Sequence, residues 1–200
     1  MMADSAALPP YRRTSPLGGI GAFLLAVLFL SGAIHICAIL LVPSFARQDG
    51  WSRLAKFAGE GRFAEVPVVG AQAADVAGLD PLFVTGACRL SLEEAPAAIT
   101  LAARERFWSL ALYEPKGTII FSLNDRTALE GRLDMLVVNP GQNAVLRQQV
   151  PAARDQTIVV ESRSNDLVAL VRLFAPTSAA QAEARQILMA AECVPAALEE

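Results

Sequence analysis

Histidine, the side chain best suited to proton transfer near neutral pH, occurs once in this chain, at His35. It lies within an apolar run, so nothing after Pro43 can serve as an imidazole base. A Ser-His-Asp or Cys-His nucleophile site is excluded from that region. Cys37 shares the apolar run, which leaves Cys88 and Cys193 far apart in the chain. Two such thiols do not make a zinc site, which draws several Cys or His ligands. Neither a Walker loop nor a G-x-G-x-x-G pattern is present, so phosphate cradling is not indicated. With 17 basic against 20 acidic residues the chain is mildly acidic, unlike a nucleic-acid binder. No metal, cofactor or nucleic acid is expected.

The polar and aromatic residues that remain each have a functional and a plainer structural reading. Asn124-Asp125-Arg126 follows an apolar stretch and would set a carboxylate and a guanidinium at a sheet edge to hold a polar ligand. The plainer reading is an Asx turn with a local ion pair. Trp108 and Tyr113 fall on opposite faces of one strand, so at least one faces away from the main core. It meets a partner or ligand there, or the C-terminal helix covers it. Glu93-Glu94 reads as a solvated turn. His35 either contacts a neighbouring helix or sits neutral near the outer interface. Ala22, Ala26, Ala33 and Cys37 lie near one helix face and would permit close helix packing.

The element that holds His35 is the clearest in the sequence. From Leu17 to Val42, 26 consecutive residues contain no Asp, Glu, Lys or Arg, and fifteen are Leu, Ile, Val or Phe. At about −0.5 kcal/mol each near a helix centre, these outweigh the cost of His35. A helix of that length reaches roughly 39 Å, enough to cross a ~30 Å hydrocarbon core. A cleaved signal peptide is the rival, with Arg12-Arg13 as its charged flank and Ser31-Gly32-Ala33 as its cleavage site. The apolar run continues to Val42, too long for an ordinary signal. Thr14-Ser15-Pro16 also stands where a twin-arginine signal wants an apolar residue.

Positive charges do not orient the span, since Arg12 and Arg13 on one side face Arg47, Arg53 and Lys56 on the other. A short tail before a first span is read as staying inside. The expected location is a bacterial inner membrane, crossed once, with the following domain in the periplasm. Cys88 and Cys193 then either form a disulfide, worth up to roughly 4–5 kcal/mol in the chain-entropy model, or remain two buried thiols.

Residues 1–16, rich in proline and small polar residues, read as a disordered cytoplasmic tail. Pro43 is expected to end the span. In Ser44 to Ala58, Trp51, Leu54, Phe57 and Ala58 recur at helical spacing. They predict a short amphipathic helix, lying at the membrane interface or packed on the domain. The Gly-, Pro- and Ala-rich stretch to Asp80 reads as a connector, so 43–80 is interfacial helix and connector.

The domain proper is residues 81–200. Strands are expected at Leu82–Leu90, Ala97–Leu101, Phe107–Tyr113, Thr118–Leu123, Arg132–Val138, Thr157–Arg163 and Leu167–Phe174. Pro115 and Gly117 predict a hairpin joining the third and fourth. Ser164-Asn165-Asp166 predicts a second hairpin joining the last two. A helix from Thr177 to Glu192 closes the domain, capped by Thr177 or Ser178. The fold class is one N-terminal transmembrane helix plus a mainly-β domain, an antiparallel sandwich or jelly-roll-like half, with a C-terminal helix.

One span followed by Asp80-Pro81, Cys88-Arg89-Leu90, Phe107-Trp108-Ser109-Leu110-Ala111-Leu112-Tyr113 and Phe121-Ser122-Leu123-Asn124-Asp125-Arg126 resembles a bacterial family. It is the domain of unknown function numbered 1254, in the short membrane-anchored form found in alphaproteobacteria. The resemblance covers most of Leu17 to Cys193 and brings no reaction and no site residues with it. Longer relatives continue into a companion β-sandwich domain, numbered 1214, which implies that a separate companion protein supplies it here. The expected role is a non-enzymatic interaction or scaffold domain that binds such a companion or a second copy of itself. The alternative is an envelope ligand-binding or hydrolytic domain built around Asp125 and Arg126.

Overall fold

A computed structural model describes residues 16–68, 79–104, 106–128, 131–148 and 157–197. The tail before Pro16, the middle of the connector and the last three residues lie outside them. The chain divides into two units, residues 1–45 and 46–200.

In the first unit, helix α1 begins at Pro16, a residue favoured in the first helical turn because its missing N–H has no intrahelical partner to lose. From Gly19 to Val42 the helix is apolar on every side, with a mean hydropathy of 2.6 and none of its residues buried. Phe23, Leu28, Phe29 and Leu40 are each about two-thirds exposed or more. A helix with no polar face has no stripe to bury and needs an apolar surround. Pro43 does not end it, against the expectation: α1 runs from Pro16 to Phe57. A proline inside a helix removes one hydrogen bond and crowds one carbonyl, and the turns on either side keep theirs.

The second unit is built from two sheets. Its strands are β1 (Gly59–Glu60), β2 (Ala64–Glu65), β3 (Phe83–Ser91), β4 (Ala97–Ala102), β5 (Trp108–Tyr113), β6 (Ile119–Asn124), β7 (Arg132–Val138), β8 (Ile158–Glu161), β9 (Asp166–Phe174) and β10 (Glu192–Pro195). The first sheet has the order β1-β3-β9-β5-β6, with β2 also paired to β3; the second has the order β10-β4-β7-β8. Pairing is antiparallel except for β1 with β3 and β7 with β8. The inner faces meet in one core that includes Leu90, Ile99, Trp108, Leu112, Met135 and Leu173. Alternation of buried and less buried residues along β4 and β5 is the period-two signature that made them legible.

The β5–β6 hairpin forms as expected, with Gly117 at a φ of 72° and its amide donating to the Glu114 carbonyl. The second expected hairpin does not form. β8 pairs in parallel with β7, while β9 crosses to the first sheet and lies between β3 and β5. Helix α2 (Pro140–Gln148) lies in the crossover that a parallel pair requires. β9 is buried from Leu167 through Val171 without alternation, which requires cover on both faces. Turn residues before it mark a reversal, but not the sheet in which the returning strand pairs.

The second cover comes from the end of α1. Trp51, Leu54, Phe57 and Ala58 pack with Leu79 and Tyr113 against Val66, Ala87, Val168 and Leu170 on the outer face of the first sheet. Of the two readings of this amphipathic stretch, these contacts match packing on the domain. On the other side, helix α3 (Ser178–Ala190) is capped by Thr177, whose hydroxyl accepts the Ala180 amide. It buries Ala184 and Leu188 in the main core.

Leu188 sits where a side chain at Gly86 would be. A Cβ built there falls 2.3 Å from Leu188 Cδ1 and 2.8 Å from Cδ2. Gly86→Ala is expected to cost about 1–3 kcal/mol by overpacking. Leu188→Ala beside it should return part of that loss, so a double-mutant cycle should give a favourable coupling. Additive losses would show that the two positions do not compete for space.

The cysteines form a disulfide. Cys88 of β3 and Cys193 of β10 are bridged with a Cα–Cα distance of 6.5 Å, tying the inner face of one sheet to the edge strand of the other. Both are buried, at 0% and 1% exposure.

Candidate functional site

Asn124 has a local capping role. Asn124 ends β6 and caps a one-turn 3-10 helix, Asp125–Thr127. Its Oδ1 accepts the Arg126 amide at 3.1 Å, and Thr127 Oγ1 accepts the Asn124 amide at 3.3 Å. The expected ion pair is not formed: among the described residues Asp125 and Arg126 make no salt bridge. Arg126 is exposed, and Asp125 Oδ1 is buried without a hydrogen-bond partner.

Strand register holds Tyr113 away from Asn124. Tyr113 pairs with Ile119 at the turn end of the hairpin, whereas Asn124 pairs with Ser109 at the other end. Four residues of strand separate them by about 13 Å. Trp108 is fully buried in the main core. Tyr113 lies on the opposite face, partly buried in the second apolar cluster, where the end of α1 rather than the C-terminal helix supplies the cover. His35 and Cys37 lie within α1, and both are exposed there.

Two surface features were not legible in the sequence. The first is an open groove of about 600 Å³ beside the disulfide, lined by Arg89, Ser91, Ala97 and Val194 among others and rimmed by Glu60, Glu93 and Asp166. Arg89 reaches Asp166 at 3.5 Å, a half-exposed pair that adds little to stability. Glu93, read as a solvated turn residue, is exposed on this rim.

The second is a row of aromatic rings where β3, β5 and β9 end together. Register places Phe83 opposite Phe174, and Phe107 precedes β5 on the same side. The Phe83 ring meets Phe174 at 5.4 Å and Phe107 at 6.2 Å, both edge to face. Arg172 stacks over Phe83, its guanidinium carbon 4.3 Å from the ring centre. Single phenylalanines spread over three strands carry no signal of their own, and only the pairing collects them.

Among the described residues no three of His, Cys, Asp and Glu gather as a metal site would need, and kinship is the next guide. A family model described as "Protein of unknown function (DUF1254)" matches residues 61–195. The chain belongs to this family. In this DUF1254 member the match opens just after β1 and closes with β10, so it takes in all the other strands of the two sheets and the bridge between them. No curated protein matches the chain. Among solved structures, the VPA0106 protein from Vibrio parahaemolyticus is similar, with a TM-score of 0.53 and 11% identity. The alignment covers 76% of this chain and 37% of that one, a likeness of fold alone. An uncharacterized protein from Burkholderia cenocepacia gives a TM-score of 0.41 and 13% identity over 62% of this chain and 35% of that one. The chain spans little more than a third of either protein.

Proposed function

We propose that this DUF1254 protein is a single-pass protein of the bacterial inner membrane. Its sandwich domain stands in the periplasm and holds a partner protein there rather than catalysing a reaction. The observation that carries this reading is the buried Cys88–Cys193 bridge in a domain that follows a fully exposed apolar helix. Structural disulfides persist in oxidising compartments, and a helix exposing apolar side chains all round is stable in lipid. The local capping use of Asn124 and the unpaired Asp125 and Arg126 weaken the hydrolytic alternative, which was built around those residues. The partner is a companion β-sandwich protein of the same family or a second copy. In VPA0106 the shared fold is likewise one part of a longer chain.

Thiol alkylation in intact cells tests the location. Cys88 and Cys193 should react only after denaturation with reductant, and the chain should stay in the membrane pellet after an alkaline carbonate wash. Both thiols reacting without reductant, or release by carbonate, would overturn the placement. Chemical cross-linking in mild detergent tests the partner, and a chain that stays monomeric and uncomplexed ends that part of the reading.

A further inference from the structure

The outer face of the first sheet is divided. Its middle is covered by the end of α1, while the end carrying the aromatic row is open, with Phe107 46%, Leu82 47% and Phe174 37% exposed. Among the described residues, Arg172 sets a cation in this apolar surface. Arg172 stacks on Phe83 and has no carboxylate partner among the described residues. The neighbouring charges are otherwise engaged: Arg106 pairs with Glu183 and donates to the Phe174 carbonyl, and Asp80 accepts the Leu82 amide.

Stacking occupies the face of a guanidinium and leaves its in-plane N–H donors for an acceptor. Arg172 Nε is buried with no acceptor. Its register partner Thr85, only 1% exposed, has an Oγ1 that is also without a partner. Both atoms are closed to solvent, so an acid arriving from outside meets the terminal N–H donors of the guanidinium, whose charge no described carboxylate balances. A bare anion would leave the phenyl rings in water, and a neutral apolar molecule would leave the guanidinium unmatched. A second copy docked face to face across a two-fold axis would bring Arg172 against Arg172.

We infer that this end of the sheet binds an amphiphilic acid, an alkyl chain carrying a phosphate or carboxylate. Arg172 takes the acid group, and Phe107 and Phe174 take the chain. The site does not depend on the side of the membrane the domain occupies.

The test uses the full chain in zwitterionic phosphatidylcholine nanodiscs with 4-fluorophenylalanine at position 107, read by fluorine NMR. Octyl phosphate should shift that resonance saturably. Arg172→Gln should weaken the response about tenfold or more, as loss of a charge-assisted bidentate contact does, and Phe174→Ala should weaken it too. Arg172→Lys, which keeps the charge, should retain more affinity than Arg172→Gln. It serves as the reading should Arg172→Gln fail to fold. Inorganic phosphate and octyltrimethylammonium should leave the resonance unmoved. Equal shifts from the anionic and cationic amphiphiles would mean partition into the disc and overturn the site. So would octyl phosphate binding that ignores Arg172→Gln, saturation by inorganic phosphate alone, or no response. A resonance that moves with protein concentration in the absence of amphiphile would instead assign the surface to a second copy.

Discussion

Removing the Cys88–Cys193 bridge by Cys88→Ala with Cys193→Ala lowers the unfolding free energy of the domain by about 3–5 kcal/mol. The bridge closes a loop of 105 residues, near the upper end of what the chain-entropy model rewards. Its position adds to this effect. Cys193 belongs to β10, a four-residue edge strand paired with β4 and touching Arg62 through a single bridge at Glu192. Both cysteines are buried, so the alanines also leave a small cavity. At about 2–4 °C per kcal/mol for a domain of this size, the midpoint should fall by roughly 10 °C. Thermal unfolding followed by near-ultraviolet circular dichroism, in matched oxidised and doubly substituted protein, checks this. A loss below about 1 kcal/mol would mean that the folded sheets hold β10 in place without the bridge.

Trp108→Ala should cost about 3–5 kcal/mol, the range for truncating a fully buried aromatic ring. Trp108 is 0% exposed in the main core, on the inner face of β5. Trp108→Phe should cost much less, under about 1.5 kcal/mol. The indole Nε1 is buried without an acceptor, so phenylalanine removes an unsatisfied donor while keeping most of the ring volume. Denaturant titration separates the two variants, with the midpoint moving and the slope unchanged if only stability is altered. Comparable losses for both would show that Nε1 has a partner worth keeping. A near-neutral Trp108→Ala would mean that Trp108 does not hold the core together.

The family resemblance read from Asp80-Pro81, Cys88-Arg89-Leu90 and the Phe107–Tyr113 segment agrees with the family match. The elements it draws on are local. A helix apolar on all sides needs only composition, and Phe107–Tyr113 alternates because one face of its strand meets the core. The β5–β6 turn has its mechanism in Pro115 and Gly117. Helix α2 also has a local signal. Asn139 and Gln142 exchange side-chain and backbone hydrogen bonds at 2.9 and 2.8 Å around Pro140, a capping arrangement spelled by Asn-Pro-Gly-Gln, and it starts α2.

Sequence by itself determined the apolar helix, seven strands and the C-terminal helix of this protein, together with the absence of an imidazole from the domain. Each of those follows from residue type and short-range period, which act over a few neighbours. Tertiary structure alone decided that β8 and β9 part into different sheets, that Cys88 lies within bonding reach of Cys193, and that Arg172 meets Phe83. Pairing partners are chosen by which buried faces fit together, a contest among strands distant in the chain. Reversing turns and alternating residues are compatible with several outcomes of that contest, and only the packed core selects one.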